Sequence, residues 1–233
     1  MKNMGIKRLD WDSDFFGFEV GEIFDETIIE GLNKYKLVIA KQSKDKELLI
    51  KNFEKRFQES KVIFKKKLSI INLKTKTDSI IDFDNLTICK TIFYPLAFES
   101  GKYSRFKLDV NFTQNQFELL YSKWVDNSVN KQFADKIFYT KAFDEVTGFV
   151  TVKLSKKFAT IGLIAVSKNF QGKGFGKILI YKVEEYCVNN NVFELRIPTQ
   201  KENVLACDFY NKIGYQIGAE TIIKHYWRNI NNL

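Results

Sequence analysis

The chain reads as a mixed α/β protein: a sheet flanked by helices, with a small α/β region over residues 1–85 ahead of a larger one over residues 86–233. Three observations predict this. Apolar, β-branched runs such as Phe158–Val166 alternate with segments of helical period such as Lys177–Asn189, where Ile178, Leu179, Val183, Tyr186 and Cys187 recur on one face. Hydrophobic residues make up 45% and aromatic residues 15% of 233, which supplies a core and excludes a disordered chain. Between the two regions, Lys74–Asn85 is largely polar and turns acidic at Asp78, Asp82 and Asp84, as a linker would.

Taken in order, Leu37–Ala40 predicts a short strand and Lys46–Glu59 an amphipathic helix with Leu48, Leu49, Phe53 and Phe57 inward. Val62–Phe64 and Leu68–Leu73 predict further strands. In the second region Ile92–Glu99 predicts a strand running into a loop, and Gln114–Asn127 a helix carrying Phe117, Leu120, Tyr121 and Trp124. Strands follow at Lys136–Ala142 and Gly148–Leu154, ahead of the Phe158–Val166 strand and the long helix. A strand at Phe193–Pro198, a helix at Val204–Ile213 and closing strands from Tyr215 to Arg228 complete the chain.

Several classes of function are disfavoured by composition. No apolar run approaches the roughly 18 residues of a membrane span, and Met1–Arg8 lacks a hydrophobic signal core, so a cytoplasmic protein without membrane insertion is expected. The three cysteines (Cys89, Cys187, Cys207) lack C-x-x-C spacing and His225 is the only histidine, so no metal site is expected. A Ser-His-Asp triad would need His225, which sits in a predicted strand beside Tyr226 and Trp227 and reads more simply as an ordinary strand residue. The formal charge of +9 rests mainly on Lys, in solvated clusters such as Lys65–Lys67, rather than on Arg. A basic surface that collects an anionic small substrate explains it better than a nucleic-acid partner does.

The most informative stretch joins the Phe158–Val166 strand to the helix: Gln171, Gly172, Lys173, Gly174, Phe175 and Gly176. Glycines there permit positive φ and close backbone approach, so several N–H donors converge on an anion at the positive end of a helix. The loop is neither a Walker A loop nor a dinucleotide fingerprint, because its glycines fall at 172, 174 and 176. It matches Q/R-x-x-G-x-G/A, with Gln171, Gly174 and Gly176 at the fixed positions, and so resembles the coenzyme A pyrophosphate loop of the GNAT superfamily of N-acetyltransferases. A glycine-rich turn between strand and helix would share part of this pattern. Downstream, Asn203, Ala206, Tyr210, Gly214 and Tyr215 fill the GNAT element N-x-x-A-x-x-x-Y-x-x-x-G-F/Y, although Asn203 also suits an N-cap and Gly214 a helix C-terminus.

This resemblance implies a GNAT acetyl-CoA-binding fold preceded by the smaller α/β domain, with acetyl-CoA as co-substrate and direct attack by a neutral amine. It implies backbone donors from Leu163, Ile164, Ala165 and Val166 for the carbonyl oxygen, coenzyme A contact through Asn203, and the Tyr210 hydroxyl at the thioester sulfur. Neither Cys187 nor Cys207 falls on a motif position, so a covalent route is not expected.

A longer resemblance concerns the acceptor. Leu9–Gly17, Ala97–Asp109 and Phe117–Ala134, with Tyr121, Trp124, Asn127 and Ser128, are similar to the dTDP-fucosamine acetyltransferases. It implies a homodimer that acetylates a nucleotide-linked amino sugar, a dTDP-4-amino-4,6-dideoxyhexose, for surface-polysaccharide synthesis. The segment Glu99–Phe106 suits such a substrate physically. Arg105 would pair with the pyrophosphate, Tyr103 or Phe106 would stack on the base, Ser104 lies between them, and Glu99 would accept the ammonium proton. Alternatively Glu99 caps a turn and Arg105 ties the loop to Asp109. Two other functions stay open: acetylation of another amine (protein or peptide, polyamine, antibiotic), and a non-catalytic module binding a nucleotide sugar or nucleic acid.

Overall fold

Residues 6–24, 32–69, 80–83, 88–142 and 144–229 are described in the computed structural model of the chain. The strands are β1 (Lys7–Arg8), β2 (Val20–Phe24), β3 (Leu37–Gln42), β4 (Phe53–Lys67), β5 (Ile80–Asp82), β6 (Lys136–Ala142), β7 (Glu145–Leu154), β8 (Ala159–Val166), β9 (Glu194–Gln200) and β10 (Gln216–Arg228). The helices are α1 (Asp10–Phe16), α2 (Tyr94–Ser100), α3 (Arg105–Leu108), α4 (Gln114–Val129), α5 (Phe175–Asn189) and α6 (Val204–Lys212). All ten strands share one sheet in the order β1-β2-β3-β10-β4-β9-β8-β7-β6-β5, parallel at β2/β3 and β8/β9 and antiparallel elsewhere. The fold is therefore the expected mixed α/β one. Strands from both sides of residue 85 lie in this sheet, because β10 sits between β3 and β4.

Each face of the sheet carries its own core. On one, Leu37 and Ile39 of β3 and Phe149 of β7 pack with Leu96 of α2 and Phe117 and Leu120 of α4. On the other, Val62 and Phe64 of β4 pack with Leu179, Ile180 and Val183 of α5. Burying each such side chain contributes about 1.5–3 kcal/mol. The helix α4 begins with a capping box: Thr113 Oγ1 accepts from the Gln116 N–H, and the Gln116 side chain accepts from the Thr113 N–H.

Several predicted elements differ. Lys46–Glu59 is not a helix: from Phe53 the chain enters β4, which pairs with β10 from Phe53/Arg228 to Lys65/Gln216 and with β9 from Lys61/Gln200 onward. Those partners are distant in sequence, and their pairing overrides the local helical period. Arg56 bulges out of the ladder, between the pairs Lys55/Tyr226 and Phe57/His225. Phe53 consequently joins the cluster around Tyr226, while Phe57 packs beside His225.

Ile92–Glu99 is a 3₁₀ turn (Lys90–Phe93) leading into α2, where Pro95 stands in the first helical turn, the position proline tolerates best. Leu68 lies beyond the end of β4, and residues 70–73 are outside the described residues. So are residues 74–79, 84 and 85 of the predicted linker, while Ile80–Asp82 form β5 against β6. The closing strands are one 13-residue strand, β10.

The sheet opens at one place. The strands β8 and β9 pair in parallel only at Ala159/Leu195 and Thr160/Arg196, after which they part. On its other edge β8 bulges: Val152 pairs with Ile161 and Val150 with Ile164, so Gly162 and Leu163 together face Thr151. Thr151 Oγ1 accepts the Leu163 N–H at 2.8 Å, and a Cβ on Gly162 would stand 2.9 Å from the same oxygen.

Candidate active site

Where β8 and β9 part, a cavity of about 850 Å³ is lined from both faces of the sheet. Among the described residues, no strand partners the β8 edge facing β9 beyond Thr160, and Ile161 through Val166 all lie on the cavity wall.

At one end stands the glycine loop. Gly172 and Gly174 have φ of 76° and 90°, and nothing lies within 4 Å of a Cβ placed on either, so glycine is required there for conformation and not for space. The Gln171 side chain secures the loop, donating to the Val166 carbonyl at 2.9 Å and to Glu99 Oε1 at 3.4 Å. The helix α5 starts at Phe175 with no side-chain cap, and its first internal bond runs from the Ile178 N–H to the Gly174 carbonyl. The N–H groups of Phe175, Gly176 and Lys177 thus have no carbonyl partner within the helix, and all three residues line the cavity. With Lys177 on the same wall, this end fits a pyrophosphate.

The second wall comes from α6. The Asn203 side chain accepts from the Ala206 N–H at 3.3 Å, which starts the helix and sets Tyr210 two turns on, facing the cavity. Tyr210 is 4% exposed and packs against Phe64, Phe209 and Tyr215, at ring centroids 5.4, 5.3 and 6.3 Å away. Burial pushes its phenol well above the usual range, so it stays a hydrogen-bond donor at any working pH.

A further wall is built by α2, which meets the glycine loop at Glu99 and Gln171, the turn after it, α3 and β4. Glu99 lines the cavity and holds the Lys102 ammonium at 2.6 Å. Ser104 and Phe106 are buried on this wall, and the Arg105 guanidinium lies 4.4 Å over the Phe106 ring. Arg105 Nη1 stands 3.5 Å from Glu59 Oε1, so Arg105 faces β4 and not Asp109. Asp109 is instead held by His225 Nδ1 (2.7 Å), Trp227 Nε1 (2.8 Å) and Asn111. Burial drives the His225 imidazole down to about 4, and His225 is absent from the cavity wall, which is how a structural strand histidine behaves. Nor does any of the three cysteines line the cavity; burial pushes the Cys187 thiol up to about 12.

Of the residues singled out from sequence, Tyr103 and Lys173 are not on the wall; Tyr103 lies under the Lys102 ammonium and Lys173 over the Phe170 ring. Lys61, Lys102, Lys177, Phe209 and Lys212 are on it and were not foreseen. Lys61 was obscured by the helix assigned to Lys46–Glu59, whereas strand alternation past Glu59 would have placed it opposite Val62. Among the described residues there is no group of three or more His, Cys, Asp or Glu able to hold a metal, and no helix long and apolar enough to cross a membrane.

The sequence model of the Acetyltransferase (GNAT) family matches residues 104–215. Streptothricin acetyltransferase A of Bacillus subtilis (strain 168) is 28% identical over 131 residues, covering 53% of this chain and 70% of that protein. The streptothricin acetyltransferase of Escherichia coli is 35% identical over 61 residues, covering 26% of this chain and 35% of that protein. An acetyltransferase of the GNAT family from Colwellia psychrerythraea has the same fold, with a TM-score of 0.53 at 11% identity over 84% of this chain and 66% of that one. The parted strands, the glycine loop and the Asn203–Tyr210 segment all fall inside the matched residues, and the chain is an acetyl-CoA-dependent acetyltransferase carrying a GNAT domain over residues 104–215.

Proposed function

We propose that this enzyme acetylates the amine of a small anionic acceptor, a nucleotide-linked amino-deoxy sugar of the dTDP-4-amino-4,6-dideoxyhexose type. The observation that supports it is the charge of the cavity. Its ionisable lysine, arginine and acidic wall residues are Lys61, Lys102, Arg105, Lys177 and Lys212 against a single carboxylate, Glu99. Lys177 follows the glycine loop directly, and coenzyme A phosphates account for it. Lys102 is held by Glu99 and Arg105 faces Glu59. This leaves Lys61 of β4 as a wall cation with no carboxylate of the described residues at ion-pair distance, and an acceptor bearing negative charge makes use of it.

Acetyl-CoA supplies the acetyl group as a thioester. The backbone amides of Phe175, Gly176 and Lys177 hold its diphosphate, and the β8 edge past Leu163, which faces no partner strand of the described residues, aligns its carbonyl. As the acceptor nitrogen bonds to the carbonyl carbon and the carbon–sulfur bond breaks, Tyr210 donates a hydrogen bond to the departing sulfur, and the proton shed by the new amide nitrogen neutralises the thiolate. Glu99 takes the substrate ammonium in place of Lys102 and passes its proton to water, leaving the free amine to attack. Tyr210 need not transfer its proton, since burial holds it on the phenol.

A second reading, acetylation of an antibiotic amine, draws on the two relatives named as streptothricin acetyltransferases. One experiment separates them: acetyl-CoA offered with dTDP- and UDP-linked 3- and 4-amino sugars and with streptothricin, following thiol release and product mass. Turnover on a nucleotide sugar supports the first reading. Turnover on streptothricin alone replaces it with the second.

A further inference from the structure

We propose that Lys61, Arg105 and Ser104 form a binding subsite for a phosphate of the acceptor, so that β4, outside the GNAT domain, sets acceptor choice. The proposal rests on the nucleotide-sugar reading and gives it a place in the cavity. On β4, Val62 and Phe64 point into the core beneath α5, so Lys61 points to the opposite face of the sheet, toward α3. There the charges pair off incompletely. Lys41 is paired with Glu22, Arg105 with Glu59, and Asp12 lies in the field of Arg105 and Lys41. No carboxylate of the described residues reaches Lys61 at ion-pair distance, Glu59 and Glu22 acting on it only from farther away. Burial, and next the neighbouring Arg105 and Lys41, hold the Lys61 ammonium below its usual range. A bound anion would offset the repulsion among these cations.

The hydrogen-bond inventory points the same way. Arg105 Nε is buried without a partner, as is Oε2 of the neighbouring Glu59, while Ser104, only 5% exposed, lies beside the Tyr121 hydroxyl. Buried donors are seldom left unused unless a ligand or water completes them. Two adjacent cations, one with a planar fork of donors, plus a hydroxyl match the several oxygens and the charge of a phosphate. Lys61, Ser104 and Arg105 line the cavity from β4 and the head of α3 and not from the loop at residues 171–176, so this anion would be distinct from the coenzyme A diphosphate.

The test is calorimetric titration of dTDP into the protein already saturated with coenzyme A, which keeps the nucleotide off residues 171–176. Lys61→Met and Arg105→Gln are each expected to weaken dTDP at least tenfold and leave coenzyme A affinity within twofold. Lys61→Arg, which keeps the charge, is expected to retain most of the dTDP affinity, and melting curves check that each variant folds. No dTDP or pyrophosphate binding by the parent protein overturns the subsite, as does equal dTDP affinity in parent and variants. If the parent acetylates a nucleotide sugar with the same KM as Lys61→Met, the subsite is wrong and the function stands. If no nucleotide sugar is acetylated, the function itself is wrong.

Discussion

Replacing Tyr210 with Phe removes one hydroxyl from the site and almost nothing else. The ring is held by Phe64, Phe209 and Tyr215, and a phenylalanine fills the same space against them. No hydrogen bond of the described residues engages the hydroxyl, so its loss strands no buried partner. The variant should fold with the stability of the parent. What it loses is a hydrogen bond to a sulfur that gains negative charge as the carbon–sulfur bond breaks. Hydrogen bonds to charged groups contribute about 1.5–3 kcal/mol. At 1.36 kcal/mol per decade, that is a fall in kcat of roughly 10- to 150-fold. Because the bond forms only as charge develops, acetyl-CoA affinity should change little. The assay is single-turnover thiol release, alongside calorimetric titration of acetyl-CoA. Buried as it is, the Tyr210 phenol should put no limb on the pH–rate profile below about pH 10. Equal turnover in variant and parent, or a loss confined to acetyl-CoA binding, would refute the role given to this hydroxyl.

Three other outcomes follow from the geometry. Gly174→Ala forces a side chain onto φ of 90° with no steric clash, so it should destabilise the fold by about 1–2 kcal/mol and weaken acetyl-CoA roughly tenfold, read by melting and titration. Glu99→Gln should lower kcat at neutral pH with little change in acetyl-CoA affinity; turnover equal to that of the parent would place the proton acceptor elsewhere. His225 should titrate in the folded protein near pH 4, which proton NMR reads directly because it is the only histidine. Its native value is depressed, so between about pH 6.5 and 4 the unfolded chain takes up a proton that the buried ring refuses. Stability contributed by this group is therefore intact above pH 6.5 and falls by about 3 kcal/mol as the pH drops through that window, measurable as a shift in urea midpoint.

How much the sequence revealed depended on the range of the interactions. The strands β6 to β9 and the helices α4, α5 and α6 show clear local periods, and each was legible within a few residues. The glycine loop was legible because positive φ at Gly172 and Gly174 restricts residue type directly. The strand β4 was not, since its partners β9 and β10 lie more than a hundred residues away and its Phe53 and Phe57 mimic a helix face across a bulge. Pro95 in the first turn of α2 was a local signal, overshadowed by the apolar Ile92 and Phe93 before it. The acceptor end suffered accordingly. Arg105 and Glu99 were found from a contiguous segment, but Lys61 reaches the same cavity only through sheet pairing, and that pairing is where local pattern carries least information.

The central claim is that backbone amides at the head of α5 hold the diphosphate of acetyl-CoA beside the parted strands. Hydrogen–deuterium exchange of the protein with and without saturating acetyl-CoA tests it most directly. Slowed exchange centred on residues 171–178 and on the β8 edge at 163–166, together with saturable one-to-one binding, is the predicted result. Absence of binding, or protection confined to other segments with these amides unchanged, would contradict it.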